Sequence, residues 1–169
     1  MNQREKVAAT LACELAEEIV RSFGELRLRV VGTSMLPSIL PGDLVSILRV
    51  SISEISSGEI VLCSRAGRLF VHRVVCCTNG LEQPLLITRG DRLNHNDAPV
   101  SSAELLGRVV SIQRPDGRGY RQIEFPALPF ESNDLMLRAL RTSDRATYFY
   151  LRLSALWQAL VHRGEKCQA

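Results

Sequence analysis

A chain of 169 residues with 46% hydrophobic and 23% charged content is long enough for one domain with its own core plus appended helix, and its composition excludes disorder. A formal net charge of +3 is too small to argue for a nucleic-acid partner. The five cysteines (Cys13, Cys63, Cys76, Cys77 and Cys167) include no C-x-x-C pair, which argues for reduced thiols in a reducing, cytoplasmic compartment and against a disulfide framework or a zinc site.

In chain order, residues 5–23 read as an amphipathic helix, with Leu11, Leu15 and Ile19 repeating every four residues beside Ala8, Ala12 and Ala16, and Gly24 as C-cap. Glu14, Glu17 and Glu18 interrupt its apolar positions, so it does not read as a signal peptide. No uncharged apolar run of about 18 residues occurs anywhere, so no transmembrane helix is expected. Residues 26–31 (LRLRVV) alternate as a strand with one exposed face. The Gly-, Ser- and Pro-rich GTSMLPSILPGD then demands a loop with a short helical turn.

Strands are expected at 44–50, 59–63, 69–77, 84–88 and 107–113, with a hairpin around Ala66-Gly67. Residues 114–130 read as a hairpin and a proline-bearing linker, and helices at about 132–142 and 145–163 close the chain. The expected fold is mainly β, a coiled, barrel-like domain with an N-terminal helix and two C-terminal helices. Its divisions are 1–25 (helix), 26–113 (β domain), 114–131 (hairpin and linker) and 132–169 (helical segment), with no internal repeat. Residues 133–163 hold five Arg against two Asp and carry the whole charge excess, while the only lysines are Lys6 and Lys166.

Three polar islands can carry chemistry. In Gly32-Thr33-Ser34-Met35-Leu36-Pro37, a serine on a tight loop after a strand can present its hydroxyl beside backbone N–H groups, although such serines are usually ordinary turn residues. In Leu69–Val75, alternation places Phe70, His72 and Val74 on one face. His72 is then either a satisfied core histidine or a general base. In Thr88–Asp97, a polar loop carries Asp91, His95 and Asp97. One aspartate could support an imidazole. A metal on Asp91, His95 and Asp97 is not expected, because ligands so close on one loop make a poor cage. No cofactor is implied.

Taken together the islands resemble the type I signal peptidase superfamily, which also includes self-cleaving repressors. The matching pieces are Gly32–Pro37, Pro41-Gly42-Asp43, Gly58–Val61, Val71–Val74, Arg89-Gly90-Asp91 with Asp97, and Leu106–Val110. They occur in family order over about residues 28–112. The resemblance implies a serine endopeptidase with Ser34 as nucleophile. The general base is Lys in one branch and His in the archaeal and endoplasmic-reticulum branch. That place, 38 residues after Ser34, is His72, and neither lysine lies in the matched region. The resemblance favours Asp97 as the residue orienting His72, with Asp91 as the alternative or as a holder of the loop. The family loop usually has Asn after Gly-Asp, where this chain has Arg92 and Leu93. The implied partner is a peptide or pre-protein substrate, and a peptidase-like module that only binds a peptide is the alternative. A self-cleaving DNA-binding arrangement is not expected. The N-terminus reads as one helix, and no Ala-Gly or Cys-Gly bond precedes Ser34.

Family members usually sit at a membrane. Phe149, Leu153, Leu156, Trp157 and Leu160 form one helical stripe. It suits first a helix packed on the core or on a second copy, and as the alternative a helix lying in a membrane interface with Arg at the headgroups.

Overall fold

The computed structural model describes residues 3–79, 83–116, 119–125 and 135–164. Helix α1 (Gln3–Phe23) leads into β1 (Glu25–Arg29) and β2 (Leu44–Leu48). A 3-10 turn at Ile52–Glu54 precedes β3 (Ile60–Arg65), β4 (Arg68–Asn79), β5 (Pro84–Arg89), β6 (Leu105–Pro115) and β7 (Tyr120–Ile123). Helices α2 (Leu135–Thr142) and α3 (Asp144–Gly164) follow. The expected class holds: a seven-stranded antiparallel sheet with one N-terminal and two C-terminal helices.

The sheet runs β1-β2-β6-β3-β4-β5, with β7 also on β6. The long β6 is its hub, because Arg108–Gln113 pair with β2, Leu105–Arg108 with β3 and Ile112–Pro115 with β7. The expected hairpins form at Ala66-Gly67, where both residues have positive φ, and between β6 and β7.

β3 explains where the core sits. Its run Ile60-Val61-Leu62-Cys63 is buried on both faces, as a continuous apolar strand should be. Ile60 and Leu62 join Val30, Met35, Ile39, Val45, Ile47, Val109 and Ile112 in one cluster. Val61 and Cys63 join Ile52, Ile55, Val74, Leu86 and Val100 in the other. Cys63 is so enclosed that burial pushes its thiol up to about 12, which leaves it protonated and inert.

Two expectations are corrected. The helix α1 does not bury Leu11 and Leu15, which are 64% and 59% exposed; Cys13, Ala16 and Val20 face the sheet instead. Small residues let the helix approach closely: Cys13 Sγ lies 3.0 Å from Ser64 Oγ, and the Ser64 hydroxyl also donates to Glu17. These polar contacts fix the helix rotation that the leucine repeat misassigns. On α3, Phe149, Leu153 and Leu156 are exposed, and the helix turns Thr147 inward instead, so these three residues are not packed on the domain core. The linker residues 126–131, the side chains of Trp157 and Leu160, and Cys167 lie outside the described residues.

Strand β1 ends at Arg29, two residues before expected, and the chain enters the long loop that returns at β2. The loop is closed at its neck. Val30 N–H donates to the Asp43 carbonyl at 2.8 Å and Gly42 N–H to the Val30 carbonyl at 2.7 Å. Gly42 supplies φ +97°, a conformation that L side chains rarely adopt. The buried Asp43 carboxylate accepts Leu40 N–H and a two-pronged Arg114 guanidinium at 2.9 and 2.8 Å. Removing that carboxylate strands the guanidinium and opens the neck. Asp43→Ala is therefore expected to cost about 3 kcal/mol, read as a lowered urea midpoint with unchanged slope.

Candidate active site

Three segments converge on one point. Ser34 leads a short helical turn in the loop after β1, marked by Ile39 N–H donating to the Met35 carbonyl at 3.0 Å. The turn is held from below by Met35, Leu36 and Ile39, all essentially inaccessible. Ser34 itself is half-buried. His72 stands on β4 opposite Val61 of β3. It is 7% exposed, with the Phe70 ring tilted against it at 5.2 Å between centroids. The third segment is the loop after β5, where Asp97 N–H donates to the Thr88 carbonyl at 2.8 Å and closes the turn.

The side chains form a chain of contacts. Ser34 Oγ lies 3.0 Å from His72 Nε2, and His72 Nδ1 lies 2.6 Å from Asp97 Oδ2. Asp97 Oδ2 also accepts the Thr88 hydroxyl at 2.6 Å. Burial raises the Asp97 pKa, but the hydrogen bonds from His72 and Thr88, together with the Arg65 charge, outweigh it and hold the carboxyl below its ordinary value. An ionised carboxylate only accepts. Nδ1 must then donate, which leaves Nε2 of the neutral ring as the acceptor for the serine proton.

Asp91 is not at the imidazole. Its fully buried carboxylate is gripped by Arg73, with Nε to Oδ1 at 2.9 Å and Nη2 to Oδ2 at 2.8 Å. Arg73 also donates to the Gly58 carbonyl and reaches Ser38 Oγ at 3.4 Å. Asp91 thus binds the loop to β4 and to the serine turn. His95 is exposed. Among the described residues no group of three His, Cys, Asp or Glu side chains is placed to hold a metal.

The sequence singled out Thr88, Arg73 and Gly90 only as parts of motifs. Thr88 could have been found by alternation: with Leu86 it occupies the buried face of β5, where a hydroxyl must find a partner. Gly90 could not. A Cβ there would meet the Ser34 carbonyl at 2.7 Å, Ser34 Cβ at 3.0 Å and His72 Nε2 at 3.1 Å. The glycine is what allows the loop to lie against both side chains.

Beside Ser34 opens an apolar cleft of about 350 Å³, lined by Leu28, Val30, Met35, Leu62 and Val71, with Ala12 of α1 contributing to one wall. β4 pairs with β5 only from Arg73 onward, so among the described residues Leu69–Val71 have no strand partner on that edge.

Two outcomes test this geometry. Gly90→Ala should force Ser34 and His72 apart while the fold survives. It should lower Ser34 phosphonylation by a fluorophosphonate by about a hundredfold, with the circular dichroism spectrum unchanged. Thr88→Val removes a hydrogen bond that lowers the Asp97 pKa. A depressed carboxylate stabilises the fold above its unfolded pKa, and that stability is lost as pH falls through the folded value. The variant should therefore lose less stability than wild type between about pH 5 and pH 2, measured by urea unfolding at each pH.

Residues 5–110 match the family model described as Peptidase S24-like. No curated protein matches.

Proposed function

The chain belongs to the Peptidase S24-like family, serine peptidases related to the type I signal peptidases, and we propose that it is an endopeptidase of signal-peptidase type acting through Ser34, His72 and Asp97. The observation that carries this reading is the unbroken contact chain from Ser34 Oγ through His72 to Asp97 Oδ2. Both nitrogens of His72 are engaged, one by a carboxylate and one by a hydroxyl at a cleft.

An extended peptide can add to the unpartnered edge of Leu69–Val71 and set one side chain in the apolar cleft. As Ser34 Oγ attacks the scissile carbonyl carbon, His72 Nε2 takes the hydroxyl proton and Asp97 stabilises the resulting imidazolium. The oxyanion is received by the Ser34 backbone N–H. Collapse of the tetrahedral intermediate breaks the C–N bond, and His72 returns the proton to the leaving amine. A water, deprotonated by His72, then attacks the Ser34 ester, and the released serine recovers its proton. Asp91 has no step in this sequence; it holds the loop. The cleft suits a small or medium apolar residue before the scissile bond, in a peptide or pre-protein substrate.

The test is cleavage of a peptide library with small residues at the scissile position, with and without lipid vesicles, read by mass spectrometry. Wild type should cut. Ser34→Ala and His72→Ala should lose a factor of about 10⁴–10⁶ and Asp97→Asn about 10⁴. Cleavage that persists in Ser34→Ala refutes the assignment. A folded wild type that neither cuts nor takes a fluorophosphonate on Ser34 is instead a peptide-binding module built on the peptidase fold.

A further inference from the structure

The helical elbow formed by α2 and α3 lies beyond the stretch matched to the family, yet it touches the loops that carry Ser34 and Asp97. Arg92 makes the bridge. Its backbone N–H donates to the Ser34 carbonyl at 2.9 Å. Its guanidinium donates through Nη1 to Thr33 Oγ1 at 3.1 Å, through Nε to the Leu140 carbonyl at 2.9 Å, and through Nη2 to the Asp144 carboxylate. A second bridge runs the other way. Arg141 of α2 donates through Nε and Nη2 to the Asp91 carbonyl at 3.2 and 3.0 Å.

These contacts fall where the elbow is stiff. Leu140 is in the last turn of α2, whose carbonyls lack helical partners and favour a cation. A single residue, Ser143, separates the helices. Thr147 Oγ1 donates to the Ser143 carbonyl at 3.2 Å, and Leu137, Leu140 and Thr147 are buried. The pair with Asp144 matters least, since that carboxylate is 97% exposed and an exposed ion pair contributes little. The bonds to Thr33 and to the Leu140 carbonyl are part-buried, and they join the residue preceding the nucleophile to the end of α2.

We infer that the α2–α3 elbow positions the Ser34 loop through Arg92 and Arg141, so that ordering of the C-terminal helices sets how often Ser34 stands within reach of His72. The effect on rate rests on the peptidase reading above. The mechanical coupling does not. Arg92 and Arg141 are positioning residues and take no part in proton transfer.

Full-length wild type, Arg92→Ala, Arg92→Lys and Arg141→Ala are compared by amide hydrogen exchange and by the pH profile of Ser34 phosphonylation with a fluorophosphonate. In Arg92→Ala and Arg141→Ala, exchange should rise about tenfold in α2 and also in residues 33–36. Phosphonylation should slow about tenfold at every pH, with the midpoint of the profile unmoved because the His72–Asp97 contact is untouched. Arg92→Lys should recover little, since one ammonium cannot span the Thr33 hydroxyl and the Leu140 carbonyl in the guanidinium's fixed fork. Exchange that rises in α2 while residues 33–36 and the rate stay as in wild type overturns the inference. So does full recovery by Arg92→Lys. If wild type is neither phosphonylated nor able to cut peptide, the peptidase reading fails; without phosphonylation the exchange of residues 33–36 alone decides the coupling.

Discussion

The buried pair of Arg73 and Asp91 is the constraint on which the site depends. Arg73 adjoins the histidine on β4, Asp91 opens the loop that ends in Asp97, and Arg73 also reaches Ser38 in the serine turn. One guanidinium therefore ties together the three segments that must meet. Such a pair is a poor source of net stability, because desolvating both charges offsets most of their attraction. Its value is in geometry. Two parallel hydrogen bonds of 2.8–2.9 Å fix an orientation as well as a distance.

That frame works because β3 is buried on both sides. An apolar strand with core on each face cannot slip by one residue without exchanging its two sets of contacts, although both sets are hydrophobic. Register is then fixed by what β3 pairs with: Val61 sits opposite His72 and Arg108. Arg108 in turn bonds Glu59 at the strand's entrance. The position of His72 is inherited from this pairing, and the tilted Phe70 ring limits how far the imidazole can turn.

Much of this was legible in the residues. The strand sequence and the hairpin at Ala66-Gly67 follow from alternation and turn chemistry, and the grouping of Ser34 and His72 with Asp97 is what the family resemblance implies. Two things were not legible, for different reasons. The rotation of α1 was misread because leucines at four-residue spacing suggest a buried stripe, whereas close approach favoured the smaller Cys13, Ala16 and Val20. Side-chain size at the interface outweighed hydrophobicity. The roles of Gly90 and Arg92 depend on contacts between segments distant from one another in the chain, and no local pattern encodes those. Arg92 was visible only as a departure from the family loop, without a reason; the reason is its bond to the end of α2.

The choice of base accounts for why so much structure is spent on one loop. A lysine base needs little more than a dry pocket that lowers its pKa, because an amine has one nitrogen and no tautomers to choose between. An imidazole has two nitrogens, and it serves only when the proton is on the far one and the ring points at the nucleophile. A third residue must enforce both conditions, so in the proposed mechanism the loop carrying Asp97 is as necessary as the base itself. The loop is correspondingly held at each step: Thr88 fixes the carboxylate, Gly90 admits the backbone against Ser34, Asp91 is locked by Arg73, and the Asp91 carbonyl is bonded by Arg141. Neither of its two lysines lies in residues 26–113, so in the proposed mechanism His72 is the base, and the contacts around residues 88–97 are what hold it in place.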